Sequence, residues 1–417
     1  MAISEAAPRA RFRPSMLFYD ARLRSYLIQG AFFLALLGLV AWLVSNAAVN
    51  LGLLGYVPSY SFLGQRAGYD IGLKLIDYTN DDTHARALLV GLLNTLFISA
   101  LGCMTATLIG VTAGVLSVSK SWVIARLMTL YVEVFRNVPV LLWLLVVFAV
   151  MTESTSSPSA FRGDNPSAHM WLWESIAVTN RYVAVPMPLF HRSLGSIDLT
   201  IVSLNLDLIL IVVAILAGVF ANRLLLQRAA RVQNATGRRP GTLWQSLLLI
   251  FGPVLVVLFA LGFHLGYPVL QGFNFSGGIM VPNSFFALWF GLSIYFGTYV
   301  AEIVRSGIEA VSKGQAEAAH ALGLTRNRTM SLVILPQALR VIVPPLISQF
   351  LNLTKASTLA VAISYPDLTA TLGGVTLNQT GRALECILLM MAIYLIISLT
   401  ISLGMNLFNR SVRLKER

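Results

Sequence analysis

Glu133 and Arg136 stand three residues apart within the apolar run 127–150. Ionisable groups inside hydrocarbon are costly, which makes them functional candidates. The spacing lets the two share one helix face and neutralise each other. Asn137 and Pro139 follow, and a proline removes a helical hydrogen bond and kinks the span. A kinked, polar-lined helix suits a gate. The same pair also fits a membrane edge, where long side chains snorkel to the headgroups. Glu302 and Arg305 repeat the spacing at the end of another apolar run, and there snorkelling is the favoured reading. Lys355 sits in a polar notch with Asn352, Thr354, Ser357 and Thr358. Its ammonium could meet the carboxylate of a zwitterionic ligand or pair with a carboxylate on a neighbouring helix. Asp367 and Asn378 read as ordinary residues of an outward connection.

Other chemistries lack their residues. G-x-x-x-x-G-K-[S/T] does not occur, so the chain cannot cradle ATP phosphates by that route. H-E-x-x-H and G-x-S-x-G are also absent. The five histidines are scattered and read as surface or structural residues. Cys103 and Cys386 lie in separate apolar runs, with no disulfide or metal-ligand spacing, and behave as small hydrophobes.

The elements that must position these groups are membrane spans. The 417 residues are 56% hydrophobic and only 12% charged. Soluble domains run at about 25% charged. A soluble globule of this composition would expose large apolar patches and aggregate, and disorder needs the opposite composition. Eight runs are long enough to cross a bilayer: 27–46, 87–118, 127–150, 204–221, 244–263, 284–304, 338–360 and 384–408. Continuous rather than alternating hydrophobicity specifies helices, not a barrel. The first run is longer than a signal-peptide core and is read as an uncleaved anchor.

The net charge of +12 is topogenic. Nucleic-acid binding would need a soluble basic face, and no soluble domain exists to carry one. Of the 30 Lys and Arg residues, 21 fall in the tails and alternate loops on one side. Seven fall on the other, and Arg136 and Lys355 lie within spans. This alternation places both termini in the cytoplasm. Residues 47–86 and 151–203 then form compact external loops.

The loop 305–340 is unusual for a linker. Ser312 and Gln315 have capping-box spacing, and a short helix over 313–322 should end at Gly323. Thr325 caps a second helix that runs to Leu335, where Pro336 interrupts it. The first helix is too short to stand alone in water. Ala316, Ala318, Ala319 and Ala321 give it almost no bulk, so it can enter a groove closely. A solvated connecting hairpin is the alternative reading of the residues alone.

The pattern Glu317-Ala318-Ala319, Gly323, Val333-x-Leu335-Pro336 resembles the EAA loop of permease subunits of bacterial ABC importers, with Val in place of Ile as the one departure. "GLLNTLFISALG" (91–102), "YVEVFRNVPVLLWLLVVF" (131–148), "FFALWFGLSIYFGTYVAEIVRSGIEAVSKGQ" (285–315) and "LNLTKASTLAVAIS" (351–364) look like the polar amino-acid permeases of the histidine/glutamine type. The enlarged layout, with "YDIGLKLIDY" (69–78), is similar to one permease subunit of general L-amino-acid importers.

The resemblance implies an all-α polytopic membrane protein of about eight transmembrane helices around a type I permease core of five. It implies a cytoplasmic tail (1–26), an extra helix (27–46), a periplasmic loop (47–82) and a first core part (83–151). An insertion with a periplasmic loop and two helices (152–283), a second core part (284–409) and a tail (410–417) complete the chain. Glu317, Ala318, Ala319 and Gly323 would contact an ATPase, and Leu335 and Pro336 would anchor the following span. Glu133, Arg136, Asn137, Asn352, Lys355 and Ser357 are the candidates for a translocation path.

The implied function is that of a non-enzymatic transmembrane subunit importing L-amino acids across the bacterial inner membrane. No cofactor is expected in this chain, ATP and Mg belonging to the ATPase. Expected partners are an ATPase dimer, a second permease subunit (a paralogue or a second copy), a periplasmic amino-acid-binding protein and lipid, with no nucleic acid. An ion-coupled secondary transporter is the alternative, though its self-sufficient ion sites are sparse here.

The topology is directly testable. Single cysteines replacing Ala160 and Ala235 should be labelled by an impermeant maleimide from opposite faces of sealed vesicles. Labelling of both from one face breaks the assignment.

Overall fold

A computed structural model describes residues 21–53, 55–163, 166–199, 202–238 and 240–412. Arg9, Arg11, Arg13, Arg239, Arg413, Lys415 and Arg417, used above for the charge asymmetry, lie outside the described residues. The chain forms two units, Met1–Tyr60 and Ser61–Arg417. The described part of the first contains one helix, α1 (Ala21–Leu53), apolar on every face, with Phe32, Leu34 and Trp42 all exposed. A helix hydrophobic all round belongs in lipid.

The second unit is mostly helical. α2 (His84–Ser117) is followed by α3 (Trp122–Asn137) and α4 (Val140–Glu153). After a segment of short strands come the long α5 (Leu206–Thr236) and α6 (Leu243–Ala260), and then α7 (Asn283–Glu309). The short α8 (Lys313–Ala321) precedes α9 (Arg326–Thr329), which runs through a π-helical turn, Met330–Ile334, into α10 (Leu335–Ala356). A 3-10 segment, Ser357–Ile363, a second π-helical stretch, Thr369–Thr376, and α11 (Leu377–Thr380) lead to α12 (Ala383–Val412). Among the described residues seven helices are long and apolar enough to cross a bilayer, or eight if α3 and α4 make one span.

Three local readings change. The run 127–150 is bent far more sharply than a proline kink: α3 and α4 meet at 99°. Pro139 stands between them in extended backbone, with no amide proton to continue the ladder. Pro336 does not interrupt the second helix either. Leu335 N donates to Met330 O, five residues back, and this wider register absorbs the proline so that α9 continues into α10. The capping box at Ser312 is not formed, because its side chain makes no cap hydrogen bond and the Gln315 amide oxygen accepts instead from Gln337 Nε2 at 3.1 Å.

The segments flanking α5 and α6 contain short antiparallel ladders that the loop reading did not anticipate. β1 (Ala177–Val178), β2 (Tyr182–Val185) and β9 (Ile279–Pro282) form one sheet, with Tyr182 opposite Pro282. β3 (Met187–Phe190) pairs with β6 (Phe263–Gly266). β4 (Ser196–Leu199) and β5 (Val202–Asn205) form a hairpin, as do β7 (Val269–Gln271) and β8 (Asn274–Ser276). The first two ladders tie the segment before α5 to the segment after α6. α5 starts on an Asn205 cap, whose Oδ1 accepts from Asp207 N and Leu208 N, and ends at Gly237 in the left-handed conformation.

The core is the contact of α2 with α7. Gly102, Ala106, Gly110 and Gly114 recur every four residues and so share one face of α2. A Cβ on Gly110 would lie 2.7 Å from Gly297 O, and one on Gly114 would lie 2.6 Å from Ala301 O. The helices therefore meet backbone to backbone. Thr105 Oγ1 and Ser293 Oγ, 2.5 Å apart, bridge them, and Trp289 Nε1 donates to Thr105 Oγ1 at 3.1 Å.

Gly110→Val should lower the thermal unfolding midpoint of the detergent-solubilised protein, since overpacking a tight contact costs about 1–3 kcal/mol. Gly38→Val in α1, where a Cβ would meet no atom within 4 Å, should leave it unchanged. Equal midpoints for the two variants would remove the contact from its central place.

Candidate functional site

The 313–324 hairpin stands at the far end of α7. α8 begins after Ser312 in extended backbone and stops at Gly323, whose φ is +76°. Gly323 N donates to His320 O at 2.9 Å and Leu324 N to Ala319 O at 3.1 Å, which closes the helix end. Only glycine reaches this φ without steric cost. Glu317, Ala318 and Gly323 are exposed, and Leu322 is 82% exposed. Ala319 is buried against the chain itself and so does not share their exposed face. Leu335 and Pro336 lie at the start of α10, just after the π-helical turn.

The bend between α3 and α4 places the next group. Leu144 of α4 packs against Gly291 of α7, and Met151 O accepts from Asn283 Nδ2 at 3.4 Å, so α4 runs antiparallel along α7. At 99° to α4, α3 crosses α7 instead of following it. Tyr131 OH donates to Ile294 O at 2.7 Å and fixes the crossing. Below it Ser117, Thr129, Glu133, Arg136, Asn137, Glu302 and Arg305 line a cavity of about 330 Å³.

Glu133 and Arg136 share this cavity but form no ion pair with each other. The Arg136 guanidinium lies over the Tyr299 ring, 5.4 Å from its centroid, held by the negative face of the ring. Arg305 contacts Glu302 at 3.9 Å and Glu309 at 3.5 Å. Glu302 and Arg305, read from the sequence as a snorkelling pair, thus belong to the same cavity as the gate candidates.

Asn352, Lys355 and Ser357 do not join that group. Ser357 is buried and donates to Thr354 O at 2.7 Å, and Asn352 is exposed. Lys355 lines a separate, mostly apolar cavity of about 590 Å³ with Thr358, Thr369, Tyr394 and Ser398. Among the described residues Lys355 has no ion pair, so the pairing with a neighbouring helix is not made within this chain.

A polar seam at the opposite end of α2 was missed. Asn94, fully buried, donates through Nδ2 to Leu73 O at 2.7 Å and to Pro366 O at 2.8 Å. Tyr365 OH returns a bond to Asn94 O, and Leu368 N donates to Thr95 Oγ1. Asp367 is no ordinary loop residue: it is fully buried, and its carboxylate accepts from Ala370 N at 2.8 Å. His84 and Tyr69 meet Thr376 Oγ1 at 3.1 and 3.5 Å. In the loop before α2, burial pushes the Tyr78 phenol well above its usual range, and its proton is donated to Tyr69 O. An asparagine inside an apolar run was the available signal for this seam.

Residues 211–414 match the family model described as the binding-protein-dependent transport system inner membrane component. The full chain is 54% identical to the glutamate/glutamine/aspartate/asparagine transport system permease protein BztB of Rhodobacter capsulatus, with all of both chains covered. The chain belongs to the amino-acid ABC transporter permeases. It is 42% identical to the general L-amino acid transport system permease protein AapQ of Rhizobium johnstonii, over 97% of this chain and 96% of that one. It is 38% identical to the putative amino-acid ABC transporter permease protein YhdX of Escherichia coli K12, over 98% and 99%. This amino-acid permease is a multi-pass inner-membrane transport subunit. Nothing in these matches favours ion-coupled secondary transport.

The permease's seam gives a test of its polar bonds. Asn94→Ala removes the donor to two partly buried carbonyls, at a cost of about 1–3 kcal/mol. The unfolding midpoint should fall, while Asn378→Ala, at an exposed site, should leave it in place. No difference between the two would show that the seam does not hold the 364–382 connection.

Proposed function

We propose that α8 and the turn at Gly323 seat in a cleft of a separate ATPase dimer, which drives this permease. The observation that carries the reading is an Ala-rich helix ended by an obligatory left-handed glycine, with Glu317, Ala318 and Leu322 exposed beside it. Glu317, Ala318 and Gly323 form the outward contact. Ala319 acts from the buried side, packing α8 onto its own chain. Leu335 and Pro336 carry the displacement into α10 through the π-helical turn. ATP and Mg are bound by the ATPase, and this chain contributes no cofactor ligand.

The permease pairs with a second permease subunit, a paralogue or a second copy, and both termini lie in the cytoplasm. A periplasmic binding protein delivers the substrate to the outer segments. The translocation path runs past Glu133, Arg136 and Asn137 at one level and Asn352, Lys355 and Ser357 at another. The amino acids named for the Rhodobacter relative, glutamate, glutamine, aspartate and asparagine, are the first substrates to test. Nucleotide shifts the inward and outward states by binding one of them better, and α8 is where that difference enters the chain.

Glu317→Arg and Gly323→Val test the seating. In vesicles carrying the whole complex, both should abolish stimulation of ATPase activity by loaded binding protein and reduce uptake by about tenfold or more, each tenfold being about 1.4 kcal/mol of coupling. The valine acts by disfavouring the left-handed turn, at about 1–2 kcal/mol. Unchanged stimulation in both variants would overturn the coupling role.

A further inference from the structure

The cavity under the α3–α4 bend contains more charge than its own ion pairs use. Arg305 is engaged by Glu302 and Glu309. Glu133 and Arg136 have no ion-pair partner among the described residues, although they stand on one helix and line one cavity. Residues three apart on a helix have Cβ atoms about 5–6 Å apart, close enough for long side chains to meet. Here they are kept separate because Tyr299 holds the guanidinium over its ring. One carboxylate and one guanidinium are thus presented singly to the same space, with the Asn137 amide and the Thr129 hydroxyl beside them.

We propose that this cavity binds a free α-amino acid as its zwitterion, Glu133 taking the α-ammonium and Arg136, with Asn137, the α-carboxylate. The ligand class rests on the importer reading above. A guanidinium presents a planar fork suited to a carboxylate, and Glu133, Arg136 and Asn137 are all exposed, so each can be reached by a ligand. The volume of about 330 Å³ falls at the small end of the range for small-molecule sites, about 300–1,000 Å³. Both charges recognised are common to every α-amino acid, so the site reads the ends of the molecule and is indifferent to its side chain. Glu302 and Arg305 place it toward the α8 end of α7, on the exit side of an importer, where it holds the amino acid after delivery.

Thr129→Cys, in a background of Cys103→Ala and Cys386→Ala, supplies a reporter inside the cavity, with Ser117→Cys as the second reporter. The whole complex is placed in vesicles without binding protein, and the rate of maleimide labelling is followed. Millimolar L-glutamine should slow labelling by about tenfold, the change expected when about nine-tenths of the sites are filled. N-acetyl-L-glutamine, which lacks the ammonium, and L-glutaminamide, which lacks the carboxylate, should not. Phosphoethanolamine should not protect either, and equal protection by it would make the cavity a lipid-headgroup site and overturn the proposal.

Glu133→Gln should abolish the discrimination against the N-acetyl compound, and Arg136→Gln that against the amide. Equal protection by all the glutamine compounds in the unsubstituted cavity, or unchanged discrimination in both variants, would also overturn it. ATP-driven uptake by the same vesicles, once binding protein is added, separates the two readings. Uptake without protection rejects this site alone, whereas protection without uptake supports the site and rejects the importer mechanism.

Discussion

The permease depends on backbone contact between α2 and α7. In lipid, two helices gain nothing from hiding apolar surface from each other, because the lipid tails are equally apolar. Association must come from close packing and from polar bonds across the contact. The glycines at 110 and 114 remove the side chains that would hold the axes apart, while Gly102 on the same face admits Leu353 of α10. Thr105, Ser293 and Trp289 then bond across the gap. α7 repeats the device on other faces: Gly291 admits Leu144 of α4, Gly297 faces Tyr131 of α3, and Gly307 faces Ile342 of α10. One helix without bulk at three levels can be surrounded by four neighbours.

That arrangement explains where the polar groups lie. With α4 seated along α7 by Gly291, the chain before Pro139 has to leave at a steep angle, and α3 crosses the bundle. The crossing opens the charged cavity on one side and is fixed by the Tyr131 phenol on a backbone carbonyl. The N-terminal part of α2 is used differently. There Asn94 and Thr95 supply side-chain bonds to the irregular backbone at Pro366 and Leu368, ahead of the π-helical stretch. Irregular backbone at this depth is tolerated only where such partners exist. The permease is thus tied tightly at the Asn94 seam and presents its exposed hairpin at the opposite end of α7.

Much of the architecture could be read along the chain. Hydrophobic run length located the spans, because the bilayer imposes a fixed length on each. The hairpin was legible because its signals are local: a short alanine-rich stretch, then a glycine at the one position requiring positive φ. Its capping was not, since Gln315 found Gln337, 22 residues away, in place of the Ser312 end. The external ladders escaped notice for a similar reason. Their strands are two to four residues long, and β2 pairs with β9 nearly a hundred residues on. No periodicity announces such a partner.

The sequence alone determined the membrane class and the local shape of the hairpin, since each follows from composition or spacing within a few turns. Tertiary structure decided which charges face one another. Glu133 and Arg136 have helix spacing for an ion pair, yet Tyr299, on another helix, claims the guanidinium. Glu302 and Arg305 looked peripheral, yet the crossing of α3 brings them into the same cavity. Lys355, grouped by polarity with the same path, was sent to a different one. Spacing fixes only which side chains can share a face, whereas the partner on that face is set by helices that meet across the bundle.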